Sequence, residues 1–139
     1  MKLATRIFSY DTAGPGLTDI TRDLAAFITD NRAVEGALHL MCRHTSASLT
    51  IQENADPDVQ VDLQAAMGRL APHDPSLYVH GIEGPDDMPA HIRTVLSGVT
   101  LSIPVIGGRM ALGAWQGVYL WEHRDRPHRR EIAASLLID

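Results

Sequence analysis

The sequence predicts an α+β domain, a largely antiparallel or mixed β-sheet structure with about three helices packed against it. Period-two apolar alternation near both ends of the chain calls for strands, and apolar stripes at helical spacing between them call for helices. The strands of the C-terminal half follow one another through short turns, whereas a doubly wound parallel sheet needs a helix between most strands. A chain of 139 residues buries most of its apolar surface without disulfides or a structural metal, and neither linker nor repeat interrupts it, so residues 1–139 are read as a single domain.

Residues 2–9 alternate as a first strand, which the turn residues of DTAGPG end. Thr18 is placed to N-cap a helix in which Ile20, Leu24, Phe27 and Ile28 form one stripe ending near Asn31. GALHLMCR follows as a strand, and HTSASLTI, rich in Thr, Ser and β-branched residues, leaves it through a turn at Thr45-Ser46. In the next helix Asp56 is the N-cap and Pro57 the first helical residue; Val59, Leu63, Ala66, Met67 and Leu70 make its inward stripe before APHDP stops it.

Asp86 or Asp87 caps a third helix that tolerates Pro89 in its first turn, turns Ile92, Val95 and Leu96 inward and ends at Gly98. VTLSIPV then presents Val99, Leu101, Ile103 and Val105 on one face, with Pro104 opposite marking an edge or strand end. A hairpin through Gly107-Gly108 leads into RMALGAW and QGVYLWEH, and a charged turn, RDRPHRR, precedes a last strand in REIAASLLID.

An apolar fraction of 45% with 21% charged residues fits a globular protein and not a disordered or membrane-spanning one. The net charge of -5 argues against a broad grip on nucleic acid and points to small molecules or other proteins as partners. The N-terminus has no continuous apolar segment of the secretory kind, so a cytoplasmic location is expected. Cys42 is the only cysteine and lies in an apolar run, which rules out an intrachain disulfide and reads as a small buried hydrophobe.

Polar residues gather in three groups. His44, Thr45 and Ser46 stand near Glu53, Asn54 and Asp56, a set that suits nucleophilic catalysis or, equally, a satisfied turn and a helix cap. HGIEGPDDMPAHIR places His80 and His91 around Glu83, Asp86 and Asp87; imidazole and carboxylate suit a transition metal, while the same acids also complement a helix N-terminus. GGRMALGAWQG, grouped with the acidic-basic stretch EHRDRPHRR, offers exposed backbone N–H groups beside Arg109 for a phosphate, or an ordinary hairpin. Trp115 and Trp121 read as core or interface aromatics.

Taken together and in this order, HTSASLTIQENADPDVQVDL, HGIEGPDDMPAHIRTVLSG and LSIPVIGGRMALGAWQGVYLWEHR resemble the YjbQ-like family, which is associated with a secondary thiamine-phosphate synthase activity. The resemblance covers most of residues 44–124 and implies an α+β fold assembling as a homotrimer, with a pocket near subunit contacts. It implies His44, His80 and His91 as ligands of a divalent metal ion, Zn, Mn, Ni or Mg, in a catalytic rather than closed site. The implied reaction joins hydroxymethylpyrimidine diphosphate to a thiazole phosphate. In it Glu53, Asn54, Asp87 and Arg109 are the expected catalytic residues, and Thr45, Ser46, Gly108, Trp115 and Gln116 are expected to bind the phosphorylated substrate. Two alternatives fit the same residues: a binding protein that holds a metal and a small anion without turnover, and a metal-dependent hydrolase of a phosphorylated metabolite.

Overall fold

In the computed structural model, which describes residues 1–139, the first strand β1 runs over Lys2–Thr12, past the end of its alternation. The cause is its partner: β8, His128–Ile138, pairs with it along the whole length, from Lys2 opposite Ile138 to Thr12 opposite His128. A short strand β2, Gly16–Asp19, lies where the sequence placed the start of a helix. Thr18 therefore belongs to a ladder with β7, Gln116–Glu122, and is not an N-cap. Asp19 takes over at the start of α1, Thr21–Asp30, accepting the Thr21 N–H at 2.9 Å.

β3, Gly36–Cys42, and β4, Ala47–Glu53, enter different sheets. All pairings are antiparallel, giving a five-stranded sheet in the order β1-β8-β3-β5-β6 and a three-stranded sheet in the order β2-β7-β4. β5 is Thr100–Ile106, and β6 shrinks to Arg109–Met110, so most of RMALGAW leaves the ladder. Gly107 and Gly108 have φ of 59° and 79° and turn the β5–β6 hairpin in a conformation that L-residues resist. The Pro104 carbonyl accepts from Ala111 N on the side of short β6, so the missing proline N–H also falls there, away from β3.

The two sheets face each other over a core of 19 buried apolar residues, to which both inner faces and Leu24, Phe27 and Ile28 of α1 contribute, but α2 and α3 do not. α2, Pro57–Leu70, begins as expected, with Asp56 accepting from Asp58 N and Pro57 in first place. Its stripe is shallow: Met67 is buried, while Leu70 is 64% exposed. Trp121 donates its indole N–H to Gln64 of this helix, and Tyr119, Trp121 and His123 are buried on the face of β7 turned away from the core. β7 is thus covered on both sides.

α3, Asp87–Ser97, departs most from expectation. Its buried side carries Asp87, Pro89, Ala90, Arg93 and Thr94, whereas Val95 is 83% and Leu96 55% exposed. The helix is tied to the free edge of β4, where Gly98 O accepts from Leu49 N at 3.0 Å and Ser97 Oγ donates to Leu49 O at 3.2 Å. Those bonds fix which side of the helix faces the sheet, and it is the polar side. No helix of the chain is long and apolar enough to cross a membrane.

Candidate metal centre

The start of α3 is where the polar residues of HGIEGPDDMPAHIR converge. Gly84, at φ 110°, turns the chain so that its carbonyl accepts from Asp87 N at 3.3 Å. Neither aspartate caps the helix through its side chain; Asp86 holds the N-cap position but gives its carboxylate to Arg124 Nε at 2.8 Å and Asp125 N at 3.0 Å. Asp87 is 4% exposed, and one helical turn later His91 shares its face. The loop before the helix brings in His80. Its Nε2 lies 2.7 Å, and that of His91 3.0 Å, from the same oxygen, Asp87 Oδ2. One ligand atom from each of His80, Asp87 and His91 lies within 4.8 Å of the others.

The proton inventory of His91 carries chemical information. Nδ1 lies 2.8 Å from Thr45 O, which can only accept, so Nδ1 bears the proton. In a neutral ring Nε2 is then a bare lone pair facing a carboxylate oxygen, and two acceptors at 3.0 Å repel unless a cation, a proton or a metal, sits between them. An N–H to a backbone carbonyl on the far side of the ring is the arrangement that fixes a metal-ligating histidine. Two donors at about 2.1 Å from a tetrahedral ion are about 3.4 Å apart, so each imidazole nitrogen would have to move roughly half an ångström away from Asp87 Oδ2 to admit one between them. Burial pushes the Asp87 carboxyl up, but the His80 hydrogen bond and, beyond the imidazoles, the Arg124 guanidinium outweigh it and hold the group below its ordinary range. Asp87 is ready to ligate as an anion.

Several residues that build this region had no role assigned from the sequence, where Glu122, His123, Arg124 and Arg130 stand in the charged stretch EHRDRPHRR. Glu122, 1% exposed, accepts from Arg130 Nε at 2.7 Å, Thr12 Oγ1 at 2.6 Å, His123 N at 3.0 Å and Arg124 N at 3.1 Å. His123 shares a 2.8 Å hydrogen bond with Ser48 Oγ, and burial, then the charge of Arg93, pushes its pKa down to about 4. Arg93 is itself buried; it donates Nη2 to Ala71 O at 2.9 Å, and its Nε has no partner. A signal existed for two of these: Glu122 is in phase with core-facing Val118 and Leu120, and Arg130 with Ile132 and Ala134. A charge in the phase of core residues announces a buried pair.

The expected site residues divide among three places. His44, Thr45 and Ser46 lie at the α3 end of β4, but His44 Nε2 accepts from Glu131 N at 2.8 Å, which takes it out of the His80–Asp87–His91 group. Thr45 orients His91 through its carbonyl, and Ser46 Oγ accepts from Arg130 Nη2 at 3.0 Å. A groove of about 890 Å³ runs beside them, lined by Met41, His44, Thr45, His91, Val95 and Val99 among others. Glu53, Asn54, Trp115 and Gln116 meet at the other end of the β4–β7 ladder, where Glu53 is opposite Gln116 and Ala47 opposite Glu122. Six strand steps separate the two ends, roughly 20 Å. There Glu53 accepts from Asp56 N, Asn54 N donates to Trp115 O, and Gln116 Oε1 accepts from Gly113 N, while Trp115 is 67% exposed. Gly108 and Arg109 line a separate groove against Thr21, Ala25 and Thr29 of α1.

Fold and site together define an α+β protein of two antiparallel sheets with a two-histidine, one-aspartate cluster at the start of a flanking helix. A family model described as UPF0047 protein YjbQ-like matches residues 6–139, and the chain belongs to that family. It is 49% identical over 121 residues to UPF0047 protein sll1880 of Synechocystis sp., covering 87% of this chain and 82% of that one. With UPF0047 protein YjbQ of Salmonella typhimurium the identity is 48% over 101 residues, 73% of this chain and 72% of the relative. Among solved structures, the conserved hypothetical protein TT1486 of Thermus thermophilus superposes with a TM-score of 0.85 at 36% identity, covering 95% of this chain and 99% of that one. The hypothetical protein APE1520 of Aeropyrum pernix gives 0.88 at 27% identity, covering 98% and 99%.

Proposed function

We propose that the protein is a divalent-metal-dependent protein whose ion is held by His80, Asp87 and His91 and receives the anionic group of a small phosphorylated metabolite. The observation that carries this reading is the pair of contacts made by His91, one committing the Nδ1 proton to Thr45 O and the other aiming Nε2 at Asp87 Oδ2. The donor set suits Zn, Mn or Ni better than Mg, which prefers oxygen ligands throughout. Three protein donors leave positions open, and an ion so held acts as a Lewis acid toward a phosphoryl oxygen or a bound water. Binding without turnover and hydrolysis of the metabolite both follow from that one centre.

The synthase-type transfer that the YjbQ resemblance implies asks more of the molecule. Glu53 and Asn54 stand at the far end of β4 and Arg109 in another groove, so that reaction needs neighbouring copies to complete a pocket. The exposed apolar residues Met41 and Val95, which line the large groove, favour the expected homotrimer. Light scattering at micromolar concentration tests it, and a monomer would rule out the transferase reading.

The metal centre is tested by elemental analysis of the purified protein and by calorimetric titration with Zn, Mn and Ni. The expected result is one ion per chain in the wild type and its loss in Asp87→Asn and His91→Ala, with circular dichroism unchanged. A wild type that binds none of the three, with no rise in Tm on their addition, would overturn the proposal.

A further inference from the structure

The two carboxylate oxygens of Asp87 have different neighbours. Oδ2 faces the His80 and His91 imidazoles at 2.7 and 3.0 Å, while Oδ1 accepts from Arg124 Nη1 at 2.9 Å. Arg124 has little freedom of its own: Nε donates to Asp86 Oδ2 at 2.8 Å, Nη2 donates to Glu83 O at 3.0 Å, and the side chain is 14% exposed. Its backbone N–H is held in turn by buried Glu122 at 3.1 Å. The guanidinium is a planar fork whose teeth are spoken for on both edges, so Oδ1 cannot turn toward the imidazoles without breaking an ionic hydrogen bond.

We infer that Arg124 sets which ion the centre takes. By occupying Oδ1 it restricts Asp87 to ligation through one oxygen, which favours an ion satisfied by two imidazoles and a single carboxylate oxygen, Zn²⁺ above all, over one that seeks further oxygen donors, such as Mn²⁺. This rests on the metal reading of His80, Asp87 and His91. Arg124 touches neither the ion nor its ligand oxygen and is a positioning residue. Its positive charge repels any divalent ion alike, so charge alone alters both affinities by the same factor and cancels in their ratio.

The experiment is a pair of calorimetric titrations, Zn²⁺ and Mn²⁺, on the full chain as wild type, Arg124→Lys and Arg124→Gln, with circular dichroism to confirm folding. Lysine keeps the charge but not the fork; glutamine removes both. Loss of a group that orients a ligand typically costs roughly 10–100-fold in affinity for the ion it serves. The Zn²⁺ to Mn²⁺ affinity ratio is therefore expected to fall by about tenfold or more in both variants, chiefly through weaker Zn²⁺ binding. Should Arg124→Gln fail to fold, Asp86→Ala, which removes the acceptor of the Nε contact and leaves Arg124 in place, takes its role beside Arg124→Lys and is expected to lower the ratio in the same direction. A ratio unchanged within about twofold in folded variants overturns the inference and leaves the metal centre intact, since a factor of about two lies below the smallest loss expected. A wild type that binds neither ion overturns both.

Discussion

Lowering the pH from 7 to 5 should remove about 2 kcal/mol of stability through His123 alone. The side chain is 1% exposed, sits against Trp121 with ring centroids 5.3 Å apart and shares its Nε2 hydrogen bond with Ser48. Burial, and next the charge of Arg93, drives its pKa from 6.5 to about 4. Between those values the unfolded chain holds a proton that the folded one refuses, so stability rises with pH there: it is complete above 6.5 and is lost progressively as pH falls toward 4. The whole span is worth on the order of 3 kcal/mol, of which roughly two thirds has gone by pH 5. Urea unfolding followed by tryptophan fluorescence at both pH values, on the wild type and His123→Gln, isolates the contribution, because every other titrating group is common to the two proteins. The wild type should lose about 2 kcal/mol more than the variant between pH 7 and pH 5. Parallel profiles, within about 0.5 kcal/mol, would show that His123 charges as easily folded as unfolded and would refute the reasoning.

Two further predictions concern the frame around the site. Glu122→Gln leaves Arg130, 4% exposed, without its carboxylate, and should destabilise the fold by about 3–5 kcal/mol in urea, while the double change Glu122→Leu with Arg130→Met should cost less than that single change. Gly36→Ala would put a Cβ 2.0 Å from Leu137 O, a backbone atom of β8, so it should cost about 1–3 kcal/mol and raise amide exchange along β3 and β8.

What could be read from the sequence was what is encoded locally. The Asp56-Pro57 helix start, the Gly107-Gly108 hairpin and the alternation of Val99, Leu101, Ile103 and Val105 all appear because each is specified by neighbouring residues. β2 was missed for the opposite reason. Its four residues have no pattern of their own and are a strand only because the edge of β7 stands beside them. The division into two sheets was equally hidden, since β3 and β4 are joined by a short turn that reads as a hairpin and is in fact a crossover.

The site was legible as a list of residue types and not as a place. HGIEGPDDMPAHIR announced histidines and carboxylates, and His80, Asp87 and His91 do meet, yet His44 is claimed by Glu131 N and the residues near Glu53 lie a strand's length away. The deeper signal was the direction of α3. Reading Ile92, Val95 and Leu96 as its inner face followed the rule that apolar residues seek the core; instead Asp86, Asp87, Arg93 and Thr94 turn inward and Val95 and Leu96 turn out. Burying charged groups costs several kcal/mol each unless they are fully bonded. Asp86 and Asp87 meet that cost through Arg124, a residue beyond the end of β7 that no spacing rule connects to them. Arg93 does not meet it, with Nε unpartnered beside a histidine that must stay neutral. A helix oriented this way sacrifices stability to hold Asp87 as an anion between two imidazoles, and its outward apolar residues leave a surface that water does not favour. Both features have one explanation if the inner side of α3 is built for an ion and the outer side for another copy of the chain, and the titrations and light scattering proposed above test each half separately.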